Sequence, residues 1–258
     1  MSYLSNTTWI ELRKALRSRM PLFTALFFLM MPLVDALMIF IYRNPELSLK
    51  LGLISAKANI IANSATDWPA YLKLIDMSVA IAGFFLFCLI TSWVFGREFS
   101  DGTLKDLLAV PVPRGSILLA KFIVVAIWSA VLTIIIYLVG LAMGAVLDLP
   151  QGSTNVILQG STHLAVTFCL LILVVLPFAF FASAGRGYLL PLGVAILTII
   201  MANLVVVAGW GDYFPWSVPG LYSQGENLIP VSYMIVVLTG LAGMFGTYLW
   251  WMYADQNR

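Results

Sequence analysis

Charge is the scarcest property of this sequence. Only 10% of its 258 residues are Asp, Glu, Lys or Arg, while 61% are hydrophobic; a soluble domain carries about 25% charged residues. So few charges cannot cover a water-facing surface, and much of the surface must face lipid. The two cysteines, Cys88 and Cys169, both sit inside long apolar runs. That placement argues against a disulfide or a metal site and makes them small buried hydrophobes. A single histidine, His163, excludes histidine-rich metal chemistry. No Gly-x-x-x-x-Gly-Lys-Ser/Thr occurs, so the chain lacks a phosphate-cradling loop and cannot hydrolyse ATP by that route. The net charge of +2 is too small to argue for nucleic acid, and the placement of charges carries more information than their sum.

What is present is hydrocarbon length. Six apolar runs, roughly 20–42, 75–96, 119–147, 164–184, 188–210 and 229–252, are each long enough to cross ~30 Å of hydrocarbon. None alternates polar with apolar residues as a barrel strand would, so the expectation is an all-helical bundle of six transmembrane helices. The first run exceeds the roughly 7–15 apolar residues of a signal core and no small-x-small site follows, so it reads as a retained helix. The third is longer than a crossing needs and implies tilt or a kink. Only Gly185-Arg186-Gly187 separates the fourth from the fifth. The segment 43–74 is long for a loop and is expected to hold helical pieces, with Asp67, Trp68, Pro69 and Tyr71 as interface anchors.

Lysine and arginine set the orientation. With a cytoplasmic N-terminus, ten fall inside (Arg13, Lys14, Arg17, Arg19, Arg97, Lys105, Arg114, Lys121, Arg186, Arg258) and four outside (Arg43, Lys50, Lys57, Lys73). Both termini are therefore expected in the cytoplasm. The organisation reads as an N-terminal helix over 1–19, a membrane domain over 20–252 with an inner loop at 97–118, and a cytoplasmic tail at 253–258.

Two cytoplasmic segments are distinctive. Thr8 and Glu11 stand at capping-box spacing, which predicts a helix start there. Trp9, Leu12 and Leu16 would share one face, with Glu11, Lys14 and Arg17 on the other. Such a helix lies in the headgroup plane; the plainer alternative is a basic flank that only sets topology. In the inner loop, Thr103 and Asp106 have N-cap and N3 spacing and Pro111 stops a helix near Val110. Leu104, Leu107 and Leu108 form an apolar stripe two turns long, too short to cross a membrane. It suits insertion into a groove on a cytoplasmic partner, or packing on the protein's own inner rim; the residues alone leave both open.

The run Glu98-Phe99-Ser100-Asp101-Gly102-Thr103-Leu104-Lys105, followed by Val110-Pro111-Val112-Pro113-Arg114 and Leu119-Ala120-Lys121, resembles the signature after the second helix of ABC-2 type permeases, the membrane subunits of bacterial ABC exporters. Phe214-Pro215-Trp216-Ser217-Val218-Pro219 looks like the Pro-Trp-x-x-Pro of peptide-antibiotic exporter subunits. The resemblance covers about residues 8 to 253. It implies a type V exporter-like fold with a coupling helix at about Thr103–Val110, so that Glu98, Asp101, Gly102, Thr103, Leu104, Lys105, Asp106, Leu107 and Leu108 serve contact with an ATPase. It also implies a separate ABC ATPase in two copies, holding the ATP and Mg that this chain does not bind. A second permease chain, identical or related, would complete the pathway in the cell membrane.

Inside the apolar runs, Asp35 follows Pro32 by three residues, and a buried carboxylate is a functional candidate. It would contact a polar substrate or a cation, or bond a neighbouring helix; the absence of a basic partner at matching depth favours the helix bond. Asn203 carries the same two readings. Gly140 and Gly144 make a Gly-x-x-x-Gly pair for close helix approach, and Gly240, Gly243 and Gly246 allow it in the last helix. Pro177 predicts a kink, and His163 beside Ser161 and Thr162 reads as a surface histidine. The leading functional expectation is an exporter permease for an amphipathic or hydrophobic molecule, such as a peptide antibiotic, for self-protection. An ion-coupled carrier using Asp35 is the alternative, weakened by the lack of a second intramembrane charge and of broken helices. An intramembrane hydrolase would need a facing nucleophile and base, which the sequence does not offer.

Overall fold

The structure, a computed structural model, describes residues 2–44, 66–103 and 112–253. Helix α1 (Ser2–Arg17) turns at Ser18 and Arg19 into α2 (Met20–Arg43). Helix α3 (Trp68–Ser78) continues through a π-helical turn at Val79–Gly83 into α4 (Phe84–Ser100). Then follow α5 (Arg114–Val146), α6 (Thr154–Val175), α7 (Pro177–Ala184), α8 (Leu189–Val207), a 3₁₀ turn at Gly211–Tyr213, α9 (Val218–Ser223) and α10 (Pro230–Tyr253). Six helical stretches are long and apolar enough to cross a membrane: Met20–Ile41, Trp68–Ser100, Arg114–Val146, Thr154–Ala184, Leu189–Val207 and Pro230–Tyr253, here spans 1 to 6.

Spans 2, 3 and 4 begin earlier than the apolar runs that announce them and reach 33, 33 and 31 residues. At 1.5 Å per residue, 33 residues give about 50 Å, well beyond the hydrocarbon layer. Hydropathy reads apolarity, whereas the caps decide where a helix starts. Asp67 Oδ1 accepts from the Ala70 amide at 3.0 Å with Pro69 in the first turn, and Ser153 Oγ accepts from the Val156 amide at 3.3 Å; both are strong N-terminal signals. Trp68 and Tyr71 are therefore buried helix residues rather than interface anchors. The capping box expected at Thr8 does not form either. The helix already runs from Ser2, and Thr8 Oγ1 donates to the Leu4 carbonyl at 2.8 Å, as a hydroxyl inside a helix does.

Span 2 is the most buried and span 5 the least; within span 5 only Pro191 and Ala195 are buried. Glycines set the close approaches. A Cβ at Gly140 would lie 2.5 Å from Ile75 Cδ1, and one at Gly144 2.6 Å from Trp68. The Gly-x-x-x-Gly pair thus seats spans 2 and 3 against each other within this chain. Gly240 and Gly243 of α10 face Leu173 and Pro177, a Cβ at Gly243 falling 2.6 Å from the Pro177 backbone. Span 4 breaks at Pro177 as expected, since proline lacks the donor for an intrahelical bond. Trp216, from the Pro-Trp-x-x-Pro segment, donates its indole N–H to the Val174 carbonyl beside that break at 2.9 Å. Span 1, by contrast, runs through Pro32 as one helix.

Candidate functional site

One end of the bundle gathers α1, the end of span 2, the start of span 3, the turn between spans 4 and 5, and the end of span 6. At its centre is Lys121, on the first turns of α5 and wholly buried. Its Nζ donates to Glu98 Oε1 at 2.8 Å, to the Val94 carbonyl at 2.9 Å and to Glu11 Oε2 at 3.2 Å. An ammonium has three donors, and all three are used. Lys14 Nζ donates to Glu11 Oε1 at 2.5 Å and lies 3.6 Å from Glu98 Oε1; Arg97 Nε is 3.8 Å from that oxygen, its guanidinium over Trp93. Two carboxylates thus meet three cations. Breaking such a buried set is costly because the remaining charge is left without a partner.

The cluster changes the reading of α1. Glu11 does not share an outward face with Arg17; it is buried beside Ala15, turned inward by Lys121, while Trp9 and Leu16 remain exposed. Burial pushes the Glu11 carboxyl upward, but Lys121 and then Lys14 outweigh it and hold it below its ordinary value of 4.5.

Glu98 and Arg114 flank the inner loop, and each is anchored. Arg114 Nη1 donates to the Trp251 carbonyl at 2.8 Å, and Trp251 donates to Ser183 Oγ at 2.9 Å. Between these anchors the chain leaves α4 through Asp101, Gly102 and Thr103, all exposed. Gly102 takes φ +70° with open space around it, a conformation glycine adopts freely and one that ends the helix. Of the expected coupling residues, Glu98 is buried in the ion cluster. Leu104, Lys105, Asp106, Leu107 and Leu108 lie outside the described residues. Gly96 sits against Gly187 of the span 4–5 turn, where a Cβ would meet backbone at 2.8 Å.

The other end carries a second polar cluster that the sequence reading missed. Asp76, buried in span 2, bonds His163 Nδ1 through Oδ2 at 2.6 Å, and the imidazole stacks on Tyr222 at 4.3 Å between centroids. His163 is thus a paired side chain, and Asp35 is not the sole carboxylate buried in the bundle. A carboxylate just inside one apolar run and the sole histidine at the edge of another were the available signal. Ser223, which lines the same cavity as His163, donates to the Gly220 carbonyl at 2.8 Å.

Asp35 is buried, and its Oδ1 accepts from Ser78 Oγ of span 2 at 2.9 Å. Ser78 immediately precedes the π-helical turn. Asn203 is exposed, donates to the Ile199 carbonyl of its own helix at 2.9 Å, and lines a cavity of about 340 Å³. That cavity is bounded by Ala80, Ile81 and Phe84 around the π turn and by Trp216 and Gln224. The structure does not bring Asp35 and Asn203 into one site. Among the described residues no group of three or more His, Cys, Asp or Glu could hold a metal ion.

Six apolar spans with a buried ion cluster at one end and a polar-edged cavity between spans define a multi-pass membrane protein. The chain belongs to the ABC-2 transporter family: the family model described as ABC-2 family transporter protein matches residues 7–203. It is also similar to the bacitracin transport permease protein BCRB of Bacillus licheniformis, 27% identical over 181 residues that cover 69% of this chain and 87% of that protein. Membership makes it an ABC-2 type permease and implies a partner ATPase, and it does not favour the ion-coupled carrier.

Proposed function

We propose that this chain is the permease subunit of an exporter that moves an amphipathic or hydrophobic molecule, such as a peptide antibiotic, out of the cell using ATP hydrolysed by a separate subunit. The observation that carries the reading is the anchoring of the loop at 101–113. Lys121 ties Glu98, on the entry side, to α1 and to span 3, while Arg114, on the exit side, is tied to span 6. A push on residues 104–110 by an ATPase would therefore reach spans 2, 3 and 6 and α1 together. Two ATPases and two permeases, the second identical or related, complete the assembly, with both termini cytoplasmic. The lining of the Asn203 cavity, apolar with a few amide and hydroxyl groups, suits an amphipathic substrate. Peptide antibiotics enter because BCRB, the similar protein, is named for bacitracin transport.

The test is the complex carrying Leu104→Asp and Leu107→Asp together. Loss of transport with weakened ATPase co-purification supports the coupling role. Transport and ATP turnover equal to the unaltered complex contradict it.

A further inference from the structure

At the α1 end, an apolar slot of about 200 Å³ opens between α1, α2 and α5. Leu12, Ala15 and Leu16 line it from α1, Pro21 and Ala25 from α2, and Trp128 with its apolar neighbours from α5. The one polar side-chain atom of its lining residues is already used, since Trp128 Nε1 donates to Thr24 Oγ1 at 3.3 Å. Nothing in the slot asks for a polar ligand, and hydrocarbon is the matching filler.

The chain next to the slot has the opposite character. Arg17 and Arg19 flank the turn between α1 and α2, and Arg13 stands one helical turn before Arg17; all three are exposed. Residues four apart share a helix face. Among the described residues none of the three has a carboxylate within 4.0 Å, because Glu11 and Glu98 are held by Lys14, Lys121 and Arg97. Three unmatched cations beside a hydrocarbon slot ask for one molecule with an anionic head and an apolar tail.

We infer that this slot, together with the neighbouring Arg13, Arg17 and Arg19, is a binding site for an anionic phospholipid of the leaflet that holds α1. One acyl chain enters between α1 and α5, and the phosphate sits among the arginines, as basic residues beside an apolar helix face attract anionic headgroups. The site is independent of what the protein transports, and the bound lipid fixes the angle between α1 and span 1.

Native mass spectrometry of the purified protein, taken from micelles holding equal phosphatidylglycerol and phosphatidylcholine, tests this. The unaltered protein retains phosphatidylglycerol preferentially. Arg17→Gln with Arg19→Gln lowers that retention, roughly fivefold for each arginine, with phosphatidylcholine unchanged. Ala25→Phe, which fills the slot and keeps the arginines, abolishes the preference, and Val131→Trp at the slot wall does the same where Ala25→Phe folds poorly. Three results overturn the proposal: arginine variants without effect; arginine variants that release lipid while both filled variants retain it; and filled variants that dissociate a dimer instead of releasing lipid, which would make a second copy the occupant.

Discussion

Lys121 and Glu11 stand 110 positions apart in the chain, yet their ammonium and carboxylate meet at 3.2 Å in the buried end of the bundle. Through Glu98, on the same ammonium at 2.8 Å, this contact joins the N-terminal helix to both helices that carry the inner loop.

Removing one member should therefore cost more than removing two. Lys121→Met leaves Glu11 and Glu98 buried without their shared cation and should destabilise the protein by about 3–5 kcal/mol. Adding Glu98→Gln should recover part of that loss, because one of the stranded charges disappears. Thermal unfolding of the detergent-solubilised single and double variants reads the difference.

Acid should loosen α1 first. Because the folded-state value of Glu11 lies below the ordinary 4.5, its contribution is complete above that value and lost as pH falls through the lowered one. Unfolding temperatures followed from neutral pH to about 3 should fall more steeply for the unaltered protein than for Glu11→Gln, with the two curves converging at the acid end.

Gly243 and Gly246 share α10 but not their surroundings. A Cβ at Gly243 meets the Pro177 backbone at 2.6 Å, whereas one at Gly246 comes no nearer than 3.9 Å to Phe180. Gly243→Ala should cost about 1–3 kcal/mol by overpacking, and Gly246→Ala should be close to neutral, as thermal unfolding would show.

Asp35→Asn keeps an acceptor for Ser78 and removes a buried ionisable group. ATP-driven transport should survive the change in reconstituted vesicles. Its abolition would return Asp35 to the substrate path.

The six spans were legible because hydrocarbon length leaves a plain mark in composition. The starts of spans 2 and 4 were not, since Asp67 and Ser153 extend helices beyond their apolar runs. Asp35 was visible as an isolated carboxylate, but its partner Ser78 lies 43 positions away, a distance that no periodicity encodes. Lys121 could be read as part of a signature, yet its burial depends on α1 folding back over α5. The outward face assigned to Glu11 failed for that reason: helical spacing sorts residues into faces and does not tell which face meets protein.

The side of the membrane that carries the inner loop tests the account most directly. Thr103→Cys, exposed just beyond α4, can be placed in a chain with Cys169→Ser and treated with a membrane-impermeant maleimide. The account predicts no labelling in intact cells and full labelling once the membrane is permeabilised. Labelling of intact cells would put the loop outside, beyond reach of any cytoplasmic ATPase, and would contradict the coupling mechanism.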